Sequence, residues 1–251
     1  MTLLTNIHFL IVAILAVILV GLAKGGLSGL GALGTPLIAL VIPPVPAAAI
    51  LLPILISQDV VSIWSFRKSW DGWVIGWMLP GAVVGILIGW WFAAMLREDA
   101  VMAALGAITL GFGLYRLWIE RGGRVVAPSQ SPGWVGTLFG VGLGFASEIA
   151  HAGGPPFQMW VAPRKLPHAT FVGTGAILFG IVNWAKVPAY IALGAFTRET
   201  LIVSAALLPL ATASTLAGVW VIRRISGRAF YTIAYVLMVG LGSHLLWQAM
   251  H

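Results

Sequence analysis

The 251-residue chain contains no cysteine, which excludes disulfides and thiolate metal sites. Charge is almost as scarce. Only 8% of residues are charged, against about 25% in a soluble domain, too few to cover a surface facing water. Lys and Arg are missing from residues 1–8. A secretory signal peptide needs a positive start, so the first apolar run is expected to be a retained segment. Apolar and polar residues do not alternate as in barrel strands. Nothing resembles a P-loop, a nucleophile elbow or HExxH. What remains is apolar: 60% of residues are hydrophobic, and mean hydropathy is +1.00. These values predict an all-α integral membrane protein. At about 20 residues per crossing, the chain has room for eight hydrophobic segments and no soluble domain. The net charge of +7 then reports orientation in the bilayer rather than nucleic-acid binding.

The apolar segments fall at 7–24, 35–65 (broken by prolines), 73–95, 100–118, 134–162 (broken by glycines and prolines), 168–193, 199–222 and 229–249. The longest polar stretch, 120–133, lies mid-chain and divides a first repeat, 1–119, from a second, 134–251. A shift of 129 residues places Leu79-Pro80 on Leu208-Pro209, Gly89 on Gly218, Gly111 on Gly240 and Gly113 on Gly242. Each half also opens with a Gly-Pro break, Gly34-Thr35-Pro36 and Gly154-Pro155-Pro156. Matching interrupted segments in two halves point to a transporter binding site.

Positive charge chooses the topology. If every segment simply crosses, six Lys/Arg residues fall on each side, against the positive-inside rule. If 134–162 instead enters and returns as a hairpin, Arg67, Lys68, Arg116, Arg121, Arg124, Arg164, Lys165, Arg223, Arg224 and Arg228 share one side. Only Arg97 and Arg198 face the other. This places the 120–133 linker in the cytoplasm. The first hairpin is inferred from the repeat alone. With both, the expected fold is two inverted repeats, each a re-entrant or broken-helix hairpin plus three transmembrane helices, and both termini lie outside. Irregular backbone at this depth requires protein or a water-filled cavity around it, so the hairpin tips should face the interior.

Small residues at four-residue spacing, Gly81, Gly85, Gly89 and Gly136, Gly140, Gly144, predict seams where helix backbones approach closely. Trp70, Trp73, Trp118 and Trp134 lie near segment ends and read as an interfacial belt.

Few residues in the apolar segments can carry chemistry. Gly29-x-Gly31-x-x-Gly34 matches a dinucleotide fingerprint but lacks the strand that motif needs. It reads instead as a Gly-rich tip whose backbone N–H groups can hold an anion. The intramembrane ionisable residues are Lys24, Asp59, Glu148, His151 and Lys186. Each is expensive in lipid and should face inward with a partner. Lys24 reads either as a snorkelling helix-end lysine or as an anion ligand. Asp59 reads as an ion-pair partner of Lys24 or as a proton-coupling carboxylate. Glu148 and His151, three apart, share a face if that stretch is helical, but two residues are too few for a metal site. His151 reads as a satisfied core residue, a proton carrier or a substrate donor. Lys186 follows Asn183 by three and precedes Pro188, which should disturb the helix. An interfacial position for Lys186 is the alternative. No metal and no cofactor is implied.

Gly21-Leu22-Ala23-Lys24-Gly25-Gly26, the Ala47–Asp59 stretch, Ala150-His151-Ala152-Gly153-Gly154-Pro155-Pro156-Phe157 and Asn183-Trp184-Ala185-Lys186-Val187-Pro188-Ala189-Tyr190 together resemble the TauE/SafE sulfite exporter family. More narrowly, they resemble its bacterial branch with an AHAGGPP-type second motif. The resemblance covers nearly the whole chain. It implies an inner-membrane carrier that exports sulfite, an organosulfonate or a related small anion. By resemblance, Lys24, Gly25, Gly26, Asp59, His151, Gly153, Gly154, Pro155, Asn183 and Lys186 fit the family pattern. Glu148 departs from it, standing where a small hydroxylated residue is expected. The expected substrate-binding set is Lys24, Gly25, Gly26, His151, Gly153, Gly154, Asn183 and Lys186. Asp59, Glu148 and His151 are the proton-coupling candidates. A passive anion channel would use the same residues without coupling. A membrane-embedded enzyme would need a nucleophile–base pair, for which only Ser147 and His151 offer material. The expected partners are the small anion, the bilayer and, for an oligomer, a second copy of the chain.

Overall fold

The computed structural model describes residues 3–24, 30–122, 131–221 and 228–251. Among these the chain is helical, with no strand. The helices are α1 (Ile7–Lys24), α2 (Gly34–Ile38), α3 (Pro44–Phe66), α4 (Gly72–Met95), α5 (Glu98–Glu120), α6 (Gly133–Ala150), α7 (Gly154–Val161), α8 (His168–Ala192), α9 (Arg198–Val221) and α10 (Arg228–Met250). Eight of them, all but α2 and α7, are long and apolar enough to cross a membrane, as the segment count predicts. Starts and stops follow local chemistry. Pro44 opens α3 where a missing N–H costs nothing. The Asp71 carboxylate accepts from the Trp73 and Val74 amides to cap α4. Gly25, Gly26, Gly29, Arg124, Arg223 and Arg224 lie outside the described residues.

The element order runs twice: long helix, break, short helix, then three long helices. In both halves the short helix folds back. A Cβ on Gly31 or Gly34 would meet Ala23 or Val20 respectively, so the return toward α2 runs antiparallel to α1. Likewise the Trp160 indole donates to the Ser131 hydroxyl at 3.0 Å. The Arg164 guanidinium donates to the Ser131 carbonyl at 2.6 Å. The chain leaving α7 is thus back beside the point where α6 began. Arg164 is also stacked on Trp160 and Trp73, 4.2 and 4.4 Å from the ring centres.

The helices then pair across the two halves. Helix α1 lies parallel to α9: Glu199 accepts from the Leu3 amide, and Ser214 donates to the Val17 carbonyl. Helix α4 lies parallel to α6, and here the glycine seams expected from sequence meet each other. A Cβ on Gly81 or Gly85 would strike the Thr137 or Val141 carbonyl of α6. One on Gly140 or Gly144 would strike the Met78 or Ala82 carbonyl of α4. Helices α3 and α8 run antiparallel: Asp59 meets Asn183, while the Phe66 carbonyl lies against Gly173. Helices α5 and α10 also run antiparallel, with Gly106 against Leu246 and Gly113 against Met238.

Candidate functional site

The ends of α1 and α6 both reach α3 and α8, Lys24 meeting Asp59 and His151 meeting Ala48 and Lys186. Between them lies a cavity of about 140 Å³, bordered by Lys24, Ser147, His151, Gly154, Gln158 and Asn183 among its polar and tip residues. Aromatic and small residues of α8, such as Phe171, Gly175 and Phe179, form part of its wall, with further residues of α1, α3, α5 and α7.

Two buried polar clusters frame it. In the first, Lys24 forms an ion pair with the Asp59 carboxylate. The second Asp59 oxygen accepts from the Asn183 amide at 2.6 Å. Asp59 is 2% exposed, so it has the two donors a buried carboxylate requires. Lys24 also stands 5.6 Å from the centre of the Phe179 ring, a cation–π distance. In the second cluster, Lys186 is fully buried. Its ammonium donates to the Ser147 carbonyl and hydroxyl, both at 3.1 Å, and to His151 Nδ1 at 2.7 Å. With Nδ1 accepting, Nε2 carries the ring proton and donates to the Ala48 carbonyl at 2.9 Å. The His151 ring stacks on Tyr190, whose hydroxyl donates to the Glu148 carbonyl.

The hairpin break has a defined geometry. His151 takes a left-handed conformation, φ 52°. Its amide bonds the Ser147 carbonyl, and the Ala152 amide bonds the Ala146 carbonyl. The first is the last helical bond and the second a wider one that closes over the left-handed residue, and together they end the helix and turn the chain. The next residues, Gly153 and Gly154, precede two prolines without N–H groups. Gly153 packs on the Leu143 carbonyl and Phe179, whereas Gly154 borders the cavity.

Several sequence expectations are refined here. Glu148 and His151 do not share a helix face, because α6 stops at Ala150 and the chain turns left-handed at His151. Glu148 points away from the cavity. It borders a void of about 10 Å³ with Pro44, Ala93, Val101 and Tyr190. It is 3% exposed, and neither carboxylate oxygen has a hydrogen-bond partner. Lys186 is buried rather than interfacial, and α8 continues through Pro188 without a break. Lys186 reaches the cavity only by way of Ser147 and His151, whereas Lys24 borders it directly. Gln158, which also borders the cavity, is not marked by any sequence motif. It sits beyond a double proline in a short helix, where nothing in residue type or spacing marks it.

Compared with family models, residues 13–245 match the one described as Sulfite exporter TauE/SafE. No curated protein and no solved structure matches the chain.

Proposed function

The chain belongs to the TauE/SafE sulfite exporter family, and from that premise we propose that this multi-pass membrane protein is a secondary transporter exporting a small sulfur-containing anion, sulfite or an organosulfonate, across the bacterial inner membrane. The observation that carries the proposal is the cavity between the two hairpin ends, bordered by Lys24, Ser147, Gly154 and Asn183. Its size suits a small oxyanion rather than a lipid or peptide. Lys24 supplies charge at its edge, and the Gly154 amide supplies a backbone donor at the start of α7. Lysine is a compact charge on a flexible stem, suited to an anion that must also be released. Lys186 acts on the anion through the His151 and Ser147 it holds.

Proton coupling is assigned to the carboxylates. Asp59 has two strong donors in this state, and any change at Lys24 on anion binding alters that balance. Glu148 has none, and an ionised carboxylate without a donor is costly in so apolar a place. Glu148 is therefore the group best placed to carry a proton in and release it where water enters.

The proposed topology has cytoplasmic 120–133, external termini and two inverted repeats. The antiparallel course of α3 against α8 and of α5 against α10 supports the inversion. An axis lying across the helices relates each to its counterpart in the opposite direction. The return of α2 along α1, and of α7 to the start of α6, supports two re-entrant hairpins. Rocking of the paired halves about the cavity would then alternate access.

The test is flux in proteoliposomes with sulfite, thiosulfate, sulfoacetate, sulfolactate and plain carboxylates, at two pH gradients. Accumulation of a sulfur anion against its own gradient, reversed with the pH gradient, is the expected result. Dissipative flux alone would overturn the coupling, and flux of none of the sulfur anions would overturn the substrate class.

A further inference from the structure

The cavity contains a donor that no motif marks. Gln158 lies one turn into α7 and borders the cavity beside Gly154. Its side-chain oxygen accepts from Arg116 Nη1 at 3.0 Å. A guanidinium only donates, so the amide must present its oxygen to Arg116 and cannot be turned round. Its nitrogen is directed the other way, 4.0 Å from where a Cβ on Gly154 would stand. Gly154 forms part of the same cavity wall.

Arg116 is itself held. Nη2 donates to the Tyr235 hydroxyl at 2.7 Å, and the guanidinium carbon lies 4.9 Å from the centre of that ring. Tyr235 is fully buried. The chain of contacts therefore runs from α10 through α5 to α7, and ends in an N–H pair facing the cavity.

We propose that Gln158 is a substrate-recognising residue and that Arg116 is its positioning residue. The inference rests on the cavity being the anion site. The Gln158 amide donates to one oxygen of the bound anion, while Lys24, on α1, supplies charge from the border of the same cavity. An uncharged donor held in one orientation adds direction without adding charge. It favours anions with several acceptor oxygens around one centre, the sulfite and sulfonate geometry, over a halide or a flat carboxylate. Arg116 supplies no ligand atom. Its role is to keep the amide from flipping and offering its oxygen to an anion, which would repel it.

The discriminating substitution is Gln158→Glu. It keeps size and shape, replaces the donor by an acceptor, and gives Arg116 an ion pair in place of a neutral hydrogen bond. A latch role and a recognition role therefore predict opposite results. The full-length purified protein is titrated with sulfite, thiosulfate, sulfoacetate and acetate by thermal shift, and its flux is measured in proteoliposomes. Recognition predicts that Gln158→Glu melts no lower than the unmodified protein, yet binds the preferred sulfur anion at least tenfold more weakly. Its preference over acetate should shrink as well. Arg116→Met should raise the transport KM at least threefold with Vmax little changed, and Arg116→Lys should recover at least half of that loss. Binding by Gln158→Glu within twofold of the unmodified protein overturns the assignment while leaving the anion site intact. Failure of the unmodified protein to bind any of the sulfur anions overturns the functional reading and this assignment together.

Discussion

Asp59 and Asn183 stand at the same place in their two helices, each fifteen residues beyond the first residue, Pro44 in α3 and His168 in α8, and they hydrogen-bond to each other. A residue touches its own counterpart only where the axis relating the halves passes. On the proposed inverted-repeat topology the carboxylate and its amide analogue mark that axis, and only one of them carries charge. Three residues further on, Ser62 and Lys186 also correspond. Ser62 donates to the Lys24 carbonyl at 3.1 Å, and Lys186 donates to the Ser147 carbonyl at 3.1 Å. Each thus satisfies a carbonyl near the end of a broken helix, one with a hydroxyl and the other with an ammonium. The two halves share a frame, and their electrostatics differ at its centre.

The Lys24–Asp59 pair leads to a test of stability against function. Removing one member strands the other in a buried place, at a cost of about 3–5 kcal/mol. Lys24→Met and Asp59→Leu should each lower the melting temperature of the detergent-solubilised protein. The double substitution should recover most of the loss, because a neutral apolar pair is tolerated there. It should not recover uptake. A double variant that transports normally would remove the pair from the mechanism.

Lys186 is expected to act on binding through its neighbours. Lys186→Met removes the donor to His151 Nδ1 and to Ser147. Anion-dependent thermal stabilisation should weaken by about 1–3 kcal/mol, the worth of a charge-assisted hydrogen bond. Lys24→Ala should weaken it by at least as much, since Lys24 borders the cavity itself. Undiminished stabilisation in both variants would leave the backbone amides of the second hairpin and Gln158 as the remaining ligands.

The α4–α6 seam permits a controlled comparison of glycines. Gly144→Ala and Gly85→Ala place a methyl group into the facing backbone, and overpacking of this kind costs about 1–3 kcal/mol. Gly76 and Gly111 lie in α4 and α5 with nothing near an added Cβ. Alanine at those two positions should leave stability unchanged or raise it by about 0.5–1 kcal/mol, through helix propensity. Melting temperatures and expression yields of the four variants should separate into these two groups. Equal behaviour would mean that the seam is looser than described.

Topology is open to single-cysteine labelling, since the chain has no cysteine of its own. Gly122→Cys and Lys165→Cys should react with an impermeant reagent from the same, cytoplasmic face. The contact of Arg164 with Ser131 brings the end of the second hairpin back to the start of α6. His251→Cys should react from the opposite face. Labelling of the first two from different faces would sink the second hairpin and the inverted arrangement with it.

Much of this was legible in the sequence for one physical reason: a charge in an apolar segment must find a partner. Lys24, Asp59 and Lys186 stand out on that ground, and Asn183 joined them through the family resemblance. The glycine spacing on α4 and α6 forecast close packing, and the structure adds that the two seams face each other. Glu148 and His151 were harder. Their separation of three implies a shared face only while the helix lasts, and it ends between them. The left-handed turn at His151 has no sequence signature as clear as a glycine. Gln158 and Arg116 were hidden for a different reason. A glutamine bears no charge, and an arginine near a membrane surface is ordinary, so neither draws attention until Oε1 and Nη1 are seen 3.0 Å apart.

The parallel pairing of α1 with α9 also bears on how the chain is made. Helix α1 ends at Lys24 and its partner ends at Val221, so nearly two hundred residues separate them. At a synthesis rate of about 5–20 residues per second, α1 spends roughly 10–40 s in the membrane before α9 exists. During that interval the groove that will receive Ser214 is covered by lipid tails, and Gly21 offers them a smooth surface. The α4 seam waits more briefly, until α6 is inserted. Neither half can reach its final packing alone, so the faces of α1 and α4 that the second half will cover stay open to lipid until it arrives.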